Sequence, residues 1–486
     1  MSSTGRMFER ALAPLVVIVG ALTLAASANA QSIVEVIDAT GDGAGNPLDR
    51  PRVIAVDGDG NVYAPGQNSD NAFSVTPAGV ITQLIDANGD GTNPFEAPEA
   101  VAVDGAGNVY AAGRDTNNVF RITPGGVITQ IISGSGDGLG NPLTTPRAIA
   151  ADAAGNVYVS GQASNNVFEI ATDGTITEII DESGDGAGND LFGPDGVAVG
   201  PSGNVYVVGS ASNNVFEITP AGAVSQIIDE SGDGAGNGLQ SPRAVAVSDT
   251  GNVYVAAFSD NVFEITPAGT ITEIIDGAGD GAGNTLRDAQ GVAVSADGNV
   301  YVTGFASDNA FEITPAGTIT EIIDASGDGQ GNALEAAYGV GVDDSGKVFV
   351  AGRNTNNVFS IDLAPAEVLS TSIAGAFVFR AICNNLTDPQ QVSLATPGNF
   401  VDCEAAGLQV APGQQVRIIL IGRINGPVFS GNADRVLGGS LSCRNLTTGS
   451  SATGSLDLDG GWDCTAAGLT TQPGNLALAI LTVQVE

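Results

Sequence analysis

Histidine is absent from this 486-residue chain. Without an imidazole, no Ser-His-Asp or Cys-His nucleophile can be assembled, and no His-ligated zinc or iron centre. Any chemistry has to run on carboxylates, amides, arginine or tyrosine. Lysine is nearly absent too: Lys347 is the sole copy, and Lys and Arg together number 16 against 54 Asp and Glu, a formal net charge of −38. Such a surface repels nucleic acid and anionic lipid and argues against both as partners. The four cysteines all lie beyond residue 380, and Trp462 is the one tryptophan. Helical patterning is missing as well, since no window joins a 3.6-residue apolar period to capping residues.

What the chain has is repetition. Gly-Asn-Val-Tyr begins at Gly60, Gly107, Gly155, Gly203, Gly251 and Gly298, and a seventh version, Gly-Lys-Val-Phe, at Gly346; the spacing is 47 or 48 residues throughout. A fixed period of this size marks a repeat architecture. Each unit holds four apolar runs, which in the copy at 203–251 read NVYVVG, NNVFEIT, AVSQIID and RAVAVS. Short runs rich in β-branched and aromatic residues, bounded by Gly, Asn, Asp and Pro, predict strands. Four antiparallel strands per unit, repeated seven times, predict a β-propeller.

The chain's start says how the ring shuts. A lone SIVEVID run at 32–38 precedes the first unit, and the last unit, ending near Ala364, lacks the matching strand. The N-terminal strand is expected to complete the last blade, which removes exposed edges; an open solenoid would need caps at both ends. The expected organisation is all-β: a seven-bladed propeller over 31–364, then a small disulfide-bonded β-sandwich-like domain over 365–486.

Residues 1–30 read as a secretory signal peptide. Arg6 and Arg10 precede the apolar run 11–25, and Ala28-Asn29-Ala30 forms a cleavage site. Export to the periplasm or beyond is expected, with no transmembrane segment in the mature chain.

The segments of pattern P-x-x-V-A-V-D-x-x-G-N-V-Y-V from Pro51, Pro98, Pro146, Pro194 and Pro242 resemble the NHL-type propeller repeat, as in streptogramin-lyase-like and gluconolactonase-like proteins. The resemblance covers roughly 32–364. It implies a propeller fold, a host for binding modules and enzymes alike, and among the enzymes metal-dependent hydrolysis or lyase chemistry. The streptogramin-lyase pattern employs a catalytic histidine, which this chain lacks.

A Gly-rich acidic loop joins each unit to the next, with the core D-x-[TNS]-G-D-G in most copies. That core is similar to the first half of a calcium loop, where oxygens at positions 1, 3 and 5 face one ion and Gly at 6 turns sharply. The candidate ligands are Asp38, Asp42 and Asp49 in loop one, Asp86, Asn88 and Asp90 in loop two, and Asp324, Asp328 and Glu335 in loop seven. The other reading is a wide turn without metal, since Asp-Gly and Gly-Asn form turns unaided.

Two variable rings interrupt the repeat. Arg52, Glu99, Arg147, Asp195, Arg243, Gln290 and Tyr338 stand at the start of the innermost strands and should encircle the channel mouth. Repetition needs only small residues there, so the mixture points to a small polar or anionic ligand held by Arg52, Arg147 and Arg243. The plainer alternative is that Arg52 pairs with Glu99 and Arg147 with Asp195. The second ring, after the NVYxxG strands, includes Arg114, Phe258, Phe305 and Arg353; Phe258 and Phe305 could form an apolar or sugar-stacking platform. These readings lead to a non-catalytic scaffold that binds a protein, glycan or small polar ligand on the acidic-loop face, with calcium as its candidate ion. The alternative is a metal-dependent hydrolase or lyase using Glu99 and Asp195 as ligands or bases.

After 364 the period gives way to an internal duplication, ICNNLT…FVDCEAAGLQVAPG recurring as SCRNLT…GWDCTAAGLTTQPG. Three disulfide pairings are possible. The duplicated layout favours Cys383–Cys403 and Cys443–Cys464, one bond per half.

Overall fold

The computed structural model describes residues 32–363 without a break and, beyond them, the strands between 370 and 485 together with Leu446. The expected signal peptide lies outside the described residues. The chain separates into two compact units at Ala364–Pro365.

In the first unit each repeat folds as an antiparallel four-stranded sheet, seven in all. We call them blade 1 (55–85), blade 2 (98–132), blade 3 (146–180), blade 4 (194–228), blade 5 (242–275), blade 6 (289–323) and blade 7 (337–362 with Ser32–Ile37). The residue pattern follows from the stacking. Val205, Tyr206, Val207 and Val208 of one second strand are all buried, because a neighbouring sheet covers each face. In the outermost strand Ile176–Ile180, by contrast, burial alternates towards solvent. One phenylalanine per blade, such as Phe73, Phe168 and Phe359, is fully buried at the equivalent third-strand position.

Seven apolar clusters join the seven sheets pairwise. They begin with Tyr63 of blade 1 against Val101 of blade 2, and end with Phe349 and Ala351 of blade 7 against Val62 of blade 1 and Leu48 of the loop before it. The stack is therefore a closed ring, with no free outer sheet. Closure is made by Ser32–Ile37, which pairs antiparallel with Asn357–Asp362 from Ser32 opposite Asp362 to Ile37 opposite Val358.

A second, polar device links the blades. Two residues ahead of each ring position the backbone is left-handed, at φ 59° for Arg50 and 56° for Thr145. For non-glycine residues this costs about 1–2 kcal/mol. The amide of that residue donates to an Asn or Asp of the preceding blade. Thr145 N reaches Asn117 Oδ1 at 2.7 Å, Ser241 N reaches Asn213 Oδ1 at 2.7 Å, and Arg50 N reaches Asn356 Oδ1 at 2.9 Å across the ring seam. Each such bond contributes about 1 kcal/mol, enough to offset most of the strain. The next residue, Asn357 or Asn166 for example, donates to the end of the acidic loop, at Ala333 O and Pro142 O, both 3.1 Å away.

Glycine is required where the acidic loop turns back. Gly184 has φ 60°, and a Cβ there would collide with the carbonyl oxygen of Asn189; Gly186, at φ 68°, faces open space. Gly184→Ala is expected to cost more than 2 kcal/mol and Gly186→Ala only about 1 kcal/mol. Urea denaturation of the two variants checks this; equal losses would contradict the turn geometry.

The second unit has two antiparallel sheets. The six-stranded one runs, in spatial order, Gln390–Gly398, Ala376–Asn385, Gln415–Ile424, Leu476–Val485, Val436–Asn445 and Ser451–Ser455. The duplication seen in sequence is thus a pseudo-twofold axis between the two central strands. The four-stranded sheet repeats the symmetry, with Ser370–Ala374 beside Ser430–Ala433 and Phe400–Asp402 and Gly461–Asp463 outside them. Ile418, Leu420, Leu441, Cys443, Ala479 and Leu481 are buried along one face of the large sheet. Cys443 is disulfide-bonded. Cys403 and Cys464 lie outside the described residues, as does the side chain of Cys383, and with them the expected pairing. Among the described residues no helix is long and apolar enough to cross a membrane.

Candidate functional site

The innermost strands of all seven blades line an axial cavity of about 370 Å³. All seven ring residues named from the sequence border it. The repeat explains why they meet: each sits at the start of an innermost strand, held by the left-handed residue two places before it.

Five of the seven form an unbroken ionic chain. Glu99, 2% exposed, is ion-paired with Arg52 and accepts hydrogen bonds from Arg147, from Arg114 at 2.8 Å, and from Gln67 Nε2 at 2.6 Å. Asp195 accepts from Arg147 Nε at 2.9 Å and from Arg243 at 2.7 Å. The two pairs anticipated from sequence are both present, and Arg147 also spans them. Burial alone would raise the Glu99 pKa, but the charges of Arg52 and Arg147 and the hydrogen bonds from Arg147 and Arg114 together hold it below the usual 4.5. Arg147 moves the other way. Burial works against its charge, yet Asp195 and Glu99 keep its pKa above the ordinary value.

The rest of the circle is different. Gln290 makes no side-chain hydrogen bond among the described residues, and Tyr338 carries Arg52 over its ring at 4.7 Å. Burial pushes the Tyr338 phenol up. Phe305 meets Tyr338 edge to face at 6.0 Å between centroids. Arg353 lies over Phe305 at 5.8 Å, and Arg243 over Phe258 at 5.4 Å. Phe258 and Phe305 thus serve as faces for guanidinium groups. Arg353 has no carboxylate partner among the described residues. Burial, with Arg52 and Arg50 nearby, lowers its pKa from the usual 12.5.

The mouth is a positive island. Nine cations lie between residues 32 and 363, at Arg50, Arg52, Arg114, Arg121, Arg147, Arg243, Arg287, Lys347 and Arg353. Five of them gather here, against Glu99, Asp195 and the exposed Asp115, which Arg114 also contacts at 2.8 Å. Neither Glu99 nor Asp195 presents an oxygen free of arginine.

The acidic loops are placed apart from one another. In loop one Asp38 Oδ1 accepts from Thr40 N at 2.7 Å, and Asp42 accepts from Ala44 N at 2.9 Å and Asn46 Nδ2 at 2.7 Å. Asp49 reaches Asn68 of the adjoining turn at 3.4 Å. Loop two repeats this with Asp86 bonded to Asn88 and Asp90 to Asn93. Loop seven does so with Asp324 bonded to Ser326 and Asp328 to Asn332; Glu335 uses its backbone on Thr355 and Asn354. Among the described residues no three Asp, Glu, His or Cys side chains gather as a metal cage. These bonds are those of Asx turns. They also account for the Asn of each G-D-G-x-G-N copy, which the sequence had offered only as a turn former. Arg50 and the seven clamp Asn and Asp residues were likewise not legible as functional positions, although their repetition was a signal.

Ring closure, blade number and an axial channel together define a β-propeller. A family model described as Beta-propeller repeat matches residues 128–169. A streptogramin B lyase structure is similar at 15% identity and TM-score 0.53, covering 68% of this chain and 97% of that one. Virginiamycin B lyase from Staphylococcus aureus is similar at 17% identity and TM-score 0.52, covering 68% and 99%. The WD40 propeller domain of Doa1 is similar at 10% identity and TM-score 0.51, covering 68% and 97%. No curated protein sequence matches. At these identities the likeness is one of fold.

Proposed function

We propose that this is an exported, non-catalytic binding propeller that takes a protein, glycan or small polar ligand at the channel mouth, on the face where the acidic loops emerge. One observation carries the reading. The only ring carboxylates, Glu99 and Asp195, are held by arginines, while the arc from Arg243 through Gln290 and Tyr338 to Arg52 carries no ring carboxylate and leaves the Gln290 amide without a side-chain hydrogen bond among the described residues. A binding site needs such an arc; a base or metal ligand needs a free carboxylate oxygen. The alternative, a metal-dependent hydrolase or lyase, would have to release Glu99 and Asp195 from their partners. Export follows from the expected signal peptide over 1–30. Calcium would have to displace the Asp42–Asn46 bond and its equivalents to enter the loops.

The test combines a lactone and ester turnover screen, with and without calcium, with a binding screen against glycans, peptides and small polar metabolites. Binding without turnover is expected, and a melting temperature that is the same in calcium and in chelator. Turnover that disappears in Glu99→Ala and Asp195→Ala would overturn the reading in favour of the enzyme.

A further inference from the structure

The ring is lopsided. Blades 1 to 5 carry the ionic chain, whereas blades 6 and 7 contribute Gln290 and Tyr338, neither of them charged. Arg243 and Arg52 stand at the two ends of that neutral arc. Arg353 stands behind it, and Phe258, Phe305 and Tyr338 supply its aromatic faces. The Nε atoms of Arg52, Arg243 and Arg353 are all buried without a hydrogen-bond partner. Three orphaned donors at one mouth are costly, because each has given up water without gaining a partner. One acceptor, Gln67 Oε1, is likewise unpartnered, but donors outnumber it, because the two ring carboxylates are already shared among four arginines.

From this geometry we infer that the open arc binds a small planar organic carboxylate, whose anionic end is taken by Arg353 with Arg52 or Arg243 and whose flat body lies against Phe305 and Tyr338. The inference rests on the binding reading above and narrows it to one ligand class. A guanidinium stacked on an aromatic face keeps its planar edge available, and that edge matches a carboxylate in two parallel hydrogen bonds. The Gln290 amide provides a further donor. A neutral sugar would leave Arg353 without a counter-charge. A bare inorganic anion would make no use of the Phe305 and Tyr338 rings beside the arginines. The overall charge of −38 does not forbid an anion here. In physiological salt, acids further than about 8 Å from the site are largely screened, while the arginines act at contact.

The test is calorimetric titration of the full-length protein at pH 7 with benzoate, benzamide and sulfate as probes. Benzoate is expected to bind at least about tenfold more tightly than its neutral isostere benzamide, the factor one charge-assisted pair supplies. It should also bind more tightly than sulfate, which lacks the flat body. Arg353→Gln should weaken benzoate about tenfold or more, and Arg121→Gln, remote from the ring, should leave it unchanged. Benzamide equal to benzoate, sulfate equal to benzoate, or a folded Arg353→Gln protein with undiminished affinity would each overturn the assignment. The probe comparison uses unaltered protein, so it stands even if a variant fails to fold. A mouth that takes glycans or peptides but ignores benzoate overturns the carboxylate and leaves the binding reading intact. Turnover abolished by Glu99→Ala, with no ligand of any class bound, overturns both.

Discussion

A variant lacking Ser32–Ile37 is expected to lose the cooperative unfolding transition of the propeller altogether. The segment supplies the fourth strand of blade 7, and its loss leaves Asn357–Asp362 as a bare edge beside the ring seam. Ile37 is 2% exposed and packs with Leu48, Phe73, Phe349 and Val358 in the cluster that joins blade 7 to blade 1. Ile33 packs on the cluster between blades 6 and 7. Glu35 Oε1 accepts from Asn357 Nδ2 at 2.8 Å. Two isoleucines at about 1.5–3 kcal/mol each, with several strand hydrogen bonds at about 1 kcal/mol each, approach the 5–15 kcal/mol that holds a typical domain together. The milder Ile37→Ala should cost about 2–4 kcal/mol, matching Ile180→Ala at the equivalent position of blade 3. Urea denaturation followed by far-ultraviolet circular dichroism measures all three. A shortened protein that melts at the midpoint of the complete one would show that the ring does not depend on this strand.

The closure was legible because two independent marks agreed: a surplus strand at the start and a missing one at the end. Hydrophobic period does the rest, since a strand covered on both faces must read as a continuous apolar run, and NVYVVG does. The seven ring positions were visible for the opposite reason, as departures from an otherwise faithful repeat. Two of the ion pairs, Arg52 with Glu99 and Arg147 with Asp195, could be read from the ring order; that they join into one chain could not. Arg147 stands equally far along the chain from Glu99 and from Asp195, and only the ring's curvature lets one guanidinium reach both. Arg114 and Gln67 lie in the turns after the second strands of blades 2 and 1, and nothing in their spacing aims them at Glu99. The seam clamp between Asn356 and Arg50 joins residues at opposite ends of the repeat array. The acidic loops left two readings open in sequence, a cation loop and a plain turn. The D-x-[TNS]-G-D-G spelling fits a cation, and the Asn that follows it also bonds the second Asp directly, a partner that spelling alone does not assign.

Glu99→Gln is expected to be the most damaging single substitution in the channel. Among the described residues Glu99 is the sole carboxylate paired with Arg52; Arg147 retains Asp195, and Arg114 retains Asp115. Removing the charge leaves Arg52 with the Tyr338 face as its remaining charge-stabilising contact. Breaking a buried pair from one side costs about 3–5 kcal/mol, because the stranded partner stays desolvated. Acidity should reproduce the loss in the unaltered protein. The folded-state pKa of Glu99 is depressed, so near its usual value of 4.5 the folded chain binds fewer protons than the unfolded one. The stability it contributes is then complete above that value and falls away as pH drops through the folded-state pKa. The gap in unfolding free energy between the unaltered protein and Glu99→Gln should therefore be widest at pH 6–7 and shrink steadily towards pH 3. Denaturant titrations at a series of pH values read it directly. A gap that stays constant across this range would mean the arginines are held by packing, and that the ionic chain around the mouth contributes nothing to keeping the channel in shape.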